Sequence, residues 1–282
     1  MAPQQSACTL ASQTRNMETP LLYLDTNIIS VVADSDAYRD ALRNFLRSNG
    51  LWLGLSGVNM IEIQAASKKH GAIASFLGSV DVALLWDDGR LLAKEVTRHP
   101  SHLENQEVVA KLVPGPSDPS VFLDHFRSKS LEDSRKTVIS KSRHMNPILQ
   151  ERQSNFRPRN GDAYTKDQAP DYQHIVVFAQ LNNRAPEFIR GLARQSDSLR
   201  IEAFQSLGVA PLVCFWKYYL GQRVPKRQSD FADLGHLAFA PYCRIVVMEK
   251  DLAHVLRQIQ SSLPVLKGTE VEDIGFVRRL AN

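Results

Sequence analysis

Short apolar runs separated by amphipathic stretches organise the first third of the chain. Leu21 to Leu24 form one such run and lead directly into Asp25, Thr26 and Asn27 before a second apolar patch. That pattern predicts a short buried strand ending on a carboxylate, at the edge where open α/β sheets place their ligands. Ile28, Ile29, Val32, Ala41, Leu42, Phe45 and Leu46 then follow helical spacing with an interruption near Asp34 to Asp36. Leu51 to Leu55 reads as a second strand. Ser56 is placed to cap the next helix, which carries Glu62 near its start and ends in basic residues before Gly71. Residues 73–77 suggest a further short helix and 82–86 a third strand or edge segment.

The middle of the chain is broken by Pro100, Pro114, Pro116, Pro119, Pro147, Pro158 and Pro170. Helical pieces are expected at 90–98, 103–112 and 120–139. Residues 171–183 fit a buried helix or a strand equally, 187–194 and 198–206 look helical, and 209–221 reads as a packed helix beginning after Pro211. Its aromatic residues are expected in the core. Farther on, Ser229 or Asp230 is placed to cap a helix bearing Phe231, Leu234, Leu237 and Ala238. Residues 244–248 form a buried run followed by Glu249 and Asp251, with Asp251 the expected cap of a last amphipathic helix and a final strand expected near 264–267.

Composition narrows the class without naming a function. The 282 residues are 43% hydrophobic and 23% charged, as in an ordinary soluble protein. A formal charge of +4 permits an anionic partner without requiring one. Three cysteines without C-x-x-C spacing suggest a reducing compartment and no zinc finger. With no apolar leader and no apolar run long enough for a membrane span, the expectation is a cytoplasmic protein with a flexible polar tail over 1–19.

Charge enters again locally. Between Arg127 and Arg159 basic residues outnumber acids, and Arg135, Lys136, Lys141 and Arg143 mark where phosphate contacts would be sought, with Phe156 and Tyr164 as stacking side chains. The bland reading is solvated surface. The acids show a different pattern: one after the first strand, one in the helix after the second, Asp230 and Asp233 early in a late helix, and Glu249 and Asp251 after a late strand. Gathered at one sheet edge they would repel one another, and a hard divalent cation, Mg²⁺ or Mn²⁺, would relieve that. His236, one turn after Asp233, fits either a general base or a buried structural hydrogen bond.

With those positions identified, the chain resembles the PIN-domain family, more closely its larger bacterial PIN-like members. The resemblance lies in DTN at 25–27, Glu62 in the helix after the second strand, and SDFADLGHLAFAPYCRIVVMEKDLA from Ser229 onward. It covers about residues 20–70 and 225–265. It implies a three-layer α/β/α fold with a central parallel sheet over 20–282, with 88–220 as a largely helical or irregular insertion. It also implies metal-dependent endoribonuclease activity, in a toxin or defence effector. Asp25 matches the first acidic position, Glu62 the second, and Asp233, with Asp230 just ahead of it, the third. The fourth falls at Glu249 or Asp251, and Asn27 and Ser229 match polar positions near the metal. RNA is the implied substrate, DNA the alternative polymer, and a homodimer or an inhibitory protein partner fits the class. A nucleic-acid-binding module with a degenerate site and a metal-dependent phosphatase are the competing functions.

Overall fold

The first strand, β1 (Leu21–Leu24), is buried along its whole length. It lies between β2 (Trp52–Leu55) and β5 (Ile245–Val247), parallel to both. A strand buried on both faces has no solvent side to mark with polar residues, which is why LLYL reads as a continuous apolar run. In the computed structural model, which describes residues 20–137, 140, 164–195, 198–221 and 233–282, the sheet has six strands. With β3 (Val82–Leu85), β4 (Val109–Val113) and β6 (Glu270–Glu272), the order is β4-β3-β2-β1-β5-β6. All the pairings are parallel except that of β3 with β4.

Side chains alternating along the strands feed two cores. Leu22, Leu24, Leu53, Leu55 and Val247 face one, which is closed by α1 (Thr26–Ala33), α2 (Asp36–Asn49), α3 (Gly57–Ala65), α4 (His70–Gly78), α6 (Ser120–Phe126) and the last helix, Ile274–Ala281. Leu21, Tyr23, Leu85, Val246 and Met248 face the other, closed by α5 (Asp88–Arg98) and the helices Gln205–Cys214 and Lys250–Gln260. The architecture is therefore a three-layer α/β/α sandwich around a mostly parallel sheet. The crossovers from β1 through β3 run over one face, whereas the helix between β5 and β6 lies on the other. The chain thus reverses direction across the sheet between β1 and β5, and such a switch point leaves a crevice at the carboxyl edge.

Several elements differ from the sequence-based expectation. The interrupted helix at 28–47 is two helices, broken where Ser35 caps α2, and α2 ends on Gly50 at φ 60, a left-handed position that suits glycine. The segment expected as a helix at 103–112 is instead a 3-10 turn, Asn105–Val108, followed by β4. The final strand lies at 270–272, and 264–266 is a 3-10 turn. The helix expected over 120–139 is interrupted at Arg127 and Ser128 before helix resumes at 129–137. Residues 169–184 are helical, resolving the choice between helix and strand. The helix expected to begin after Pro211 starts at Gln205, carries Pro211 inside, and continues as a π-helix over Phe215–Leu220, whose Phe215, Tyr218 and Tyr219 are buried. Residues 88–220 supply the edge strand β4 and, through Gln205–Cys214, part of one core. The tail 1–19, Lys141, Arg143, Phe156, Ser229, Asp230 and Phe231 lie outside the described residues.

A buried acid that the sequence did not single out joins this region to the sheet layer. Glu95 of α5 is 0% exposed. It accepts hydrogen bonds from Ser206 N at 2.7 Å, Ser206 Oγ at 2.5 Å and the hydroxyl of Tyr242. Ser206 N is in the first turn of the Gln205–Cys214 helix, whose own cap residue Phe204 has no side-chain acceptor, so Glu95 caps that helix from a neighbouring element. Burial raises its carboxyl above the usual range, against the opposing pull of the Ser206 bonds, the Tyr242 bond and the Arg184 charge. Glu95→Ala leaves these donors unsatisfied and is expected to cost about 2–4 kcal/mol, whereas Glu95→Gln, which can accept at Oε1 and donate to the serine, is expected to cost less than about 1 kcal/mol. Urea denaturation measures both, and equal losses would contradict this account.

Candidate functional site

Of the acids expected at the sheet edge, Asp25 and Glu62 come together with His236 at the switch point, and Asp233 lies within electrostatic reach of Asp25, Glu62 and Glu249. Asp25 follows β1 and is only 4% exposed. Its carboxylate caps α1 by accepting from Asn27 N at 3.0 Å, and its own N–H donates to Val247 O at 2.9 Å, which continues the pairing with β5 one residue past the strand. Glu62 stands in the second turn of α3, close enough to Asp25 and His236 that all three place a ligand atom within 4.8 Å of one another. Asp233 opens a 3-10 helix, Asp233–Ala238, that brings His236 inward to 1% exposure. Glu249 follows β5, caps the Lys250–Gln260 helix by position, and accepts a hydrogen bond from Asn27 Nδ2.

Electrostatics tie these acids together. The Asp233 carboxyl is pushed up to about 7, first by burial and then by the negative charges of Asp25 and Glu62, with a smaller push from Glu249 and a partial offset from His236. Glu62 moves the opposite way: burial works to raise it, but the hydrogen bond and charge of His236 and a bond from Thr26 hold it below the usual carboxylate range. His236 is raised above an ordinary histidine because its bond to Glu62 and the surrounding acids outweigh the burial that would lower it. Glu62 thus has a partner in His236, whereas the charges of Asp25 and Glu249 oppose that of Asp233.

A buried hydrogen-bond chain stands behind Glu62. Asn59 Nδ2 donates to Leu24 O at 3.0 Å and Thr26 Oγ1 at 3.1 Å, which orients the amide so that its Oδ1 accepts from Ser56 N. Four further contacts run from Ser56 Oγ to Asn59 Oδ1 at 2.9 Å, Tyr23 to Ser56 Oγ at 2.8 Å, Tyr23 to His236 Nδ1 at 2.6 Å and His236 Nε2 to Glu62 Oε2 at 3.0 Å. A neutral imidazole supplies only three hydrogens for these four contacts; an imidazolium supplies one for each. Ser56 then donates to Asn59, Tyr23 to Ser56, and both ring nitrogens of His236 donate, to Tyr23 and to Glu62. Both ring nitrogens of His236 are engaged, by Tyr23 and by Glu62, so within the group Asp25, Glu62 and His236 the carboxylates are the donors left with free lone pairs. Oxygen donors carrying excess negative charge suit Mg²⁺ or Mn²⁺.

The remaining expected residues are distributed as follows. Asp251, expected as the cap of the last long helix, lies inside its first turn because that helix begins at Lys250, and it pairs with Lys217 at 3.4 Å instead. Arg135 Nη1 donates to Gln64 Oε1 at 3.3 Å, two positions beyond Glu62 on α3. Lys136 points away into pairs with Glu132 at 2.9 Å and Asp133 at 3.7 Å. Sequence reading missed Tyr23 and Asn59. The available signals were a tyrosine in an otherwise aliphatic buried strand, whose hydroxyl needs a partner, and an asparagine three residues after a capping serine.

No protein-family model matches the chain, and neither the curated proteins nor the solved structures contain a match.

The raised carboxyl of Asp233 makes a test in metal-free protein. An acid whose folded pKa lies above its unfolded value contributes stability that is complete below the unfolded value, near 4, and is lost as pH rises through about 7. Asp233→Asn removes that loss. In EDTA at pH 8 the variant is expected to melt a few degrees above the wild type, at about 2–4 °C per kcal/mol for a domain of this size, with the difference shrinking toward pH 5. Scanning calorimetry across that range measures it; a variant that melts below the wild type at pH 8 would contradict the crowding.

Proposed function

We propose that this protein is a divalent-metal-dependent nuclease that hydrolyses RNA phosphodiester bonds at the edge formed by β2, β1 and β5. The observation that carries the reading is the approach of Asp25, Glu62, Asp233 and Glu249, from four separate elements, to one switch point, where burial, joined by the charges of Asp25 and Glu62, pushes Asp233 up to about 7. A set of acids that repel one another in the empty protein is what a cation-binding site looks like before the cation arrives. The resemblance of DTN at 25–27, Glu62 and the late acidic stretch to the PIN-domain family supports phosphodiester hydrolysis, with RNA the expected polymer and DNA the alternative.

Asp25, Glu62 and Asp233 would hold Mg²⁺ or Mn²⁺, with Glu249 at the more exposed side. When bound, such a cation supplies Lewis-acid polarisation of the scissile phosphate and a more acidic water nucleophile. Asp25 is fixed by β1 and by its own cap to Asn27, so its carboxylate is positioned without reorganisation. Asn27 restrains Glu249 from the same turn. His236 keeps Glu62 charged and oriented, and its engaged nitrogens leave it no part as a general base. Arg135, which bonds Gln64 on the helix that carries Glu62, is the described basic residue assigned to a substrate phosphate. In the net reaction water adds across one P–O bond, giving a phosphate monoester and an alcohol.

Purified protein is expected to cleave single-stranded RNA with Mn²⁺ and to lose that activity in EDTA. Asp25→Asn should lower the cleavage rate by about 10²-fold or more while leaving the circular dichroism spectrum unchanged. Unchanged turnover in Asp25→Asn would sink the assignment, and turnover of a small phosphate ester without RNA cleavage would replace the nuclease with a phosphatase.

A further inference from the structure

We propose that Tyr23 is a positioning residue of this site: its hydroxyl, held by Ser56 and Asn59, locks the ring of His236 so that Nε2 keeps the Glu62 carboxyl in place for a divalent cation. The proposal rests on the metal-site reading above and adds a residue outside the acidic set. Tyr23 is fully buried in β1, stacked on Phe239 at 5.8 Å with an interplanar angle of 17°. Packing on its own does not call for a hydroxyl at this position, since phenylalanine would fill the same space. The hydroxyl instead bridges Ser56 Oγ at 2.8 Å and His236 Nδ1 at 2.6 Å.

The path of the chain gives the arrangement its purpose. Ser56 is the cap of α3, and Glu62 lies on the same helix. The hydrogen bonds therefore leave α3 at its capping residue, pass through β1 at Tyr23 and the 233–238 segment at His236, and return to α3 at Glu62. A closed circuit of this kind fixes the separation of three elements at once, and each of them carries one of the acids: Asp25 beside Tyr23, Glu62 on α3, and Asp233 ahead of His236. With its Nδ1 released, the imidazole can rotate about its side-chain bonds and the donor to Glu62 is no longer aimed. Partners that orient a ligand from behind in this way typically change metal affinity by about 10–100-fold when removed.

The test uses the full-length chain with substitutions at Tyr23, Tyr242, His236 and Ser56. In metal-free wild type, ¹⁵N-edited NMR is expected to show protons on both ring nitrogens of His236, and Tyr23→Phe is expected to lose the Nδ1 proton signal. Calorimetric titration with Mn²⁺ should give an affinity about 10-fold or more weaker in Tyr23→Phe. Tyr242→Phe, which removes a buried tyrosine hydrogen bond to Glu95 on the far side of the same core, should bind Mn²⁺ as the wild type does. In a His236→Ala background, Tyr23→Phe should add less than about twofold, because both act through one path. If Tyr23→Phe does not fold, Ser56→Ala opens the same circuit at its other end and should weaken Mn²⁺ binding in the same direction. Unchanged Mn²⁺ affinity in the folded variant, or a full additional loss in the His236→Ala background, would overturn the positioning role. A wild type that shows both ring protons yet binds no Mn²⁺ would overturn the metal-site reading instead.

Discussion

β1 is hydrogen-bonded to β2 on one side and β5 on the other, and the N–H of Asp25 extends the second pairing beyond the strand to Val247. Because the backbone is held on both sides, the first carboxylate projects from a point that cannot shift without disturbing both neighbours. The other acids are arranged relative to that point. Glu62 arrives on the helix after β2, and Glu249 on the turn after β5. Asp233 arrives on a 3-10 segment packed against Tyr23 through His236 and Phe239. The chain reverses direction across the sheet between β1 and β5, the kind of switch point beside which open α/β sheets place their ligands.

Glu95 and Asp233 show how differently the same fold uses an acid. Glu95 is raised by burial, and its oxygens meet donors from Ser206 and Tyr242, so it joins a helix end to its neighbours. Asp233 is raised by burial together with the charges of Asp25, Glu62 and Glu249. One is a satisfied structural cap and the other a group held where its charge is opposed. Stability given up at a site of this kind is the usual mark of a function, and a positive counter-charge would relieve it.

How much of this was legible depended on whether a residue's neighbours along the chain reveal its neighbours in space. β1, β2, β3 and β5 could be read because burial on both faces leaves unbroken apolar runs. β4 could not: Val108, Val109, Leu112 and Val113 have helical spacing, and as an edge strand it exposes Ala110, Lys111 and Leu112. β6, with the sequence EVE, is too short and polar to announce itself, and the nearby apolar Val265 and Leu266 drew the expectation away. Within the site, Asp25, Glu62, Asp233 and Glu249 were legible from their places at strand and helix ends. The circuit through Tyr23, Ser56, Asn59 and His236 was not, because its long-range bonds join residues 33 and 213 positions apart, and no local pattern encodes such a pairing. Asp251 looked like the cap because an acid often precedes an amphipathic helix, but the helix starts two residues earlier and leaves the capping position to Glu249.

The central claim is that the crowded acids form a cation site in which histidine supports a ligand without being one. Crystals soaked in Mn²⁺ and measured at the manganese absorption edge test it most directly. The account predicts anomalous density within coordination distance of the Asp25 and Glu62 carboxylates, with His236 Nε2 still bonded to Glu62. Density bonded to the His236 ring, or no ion among these acids at saturating Mn²⁺, would contradict it.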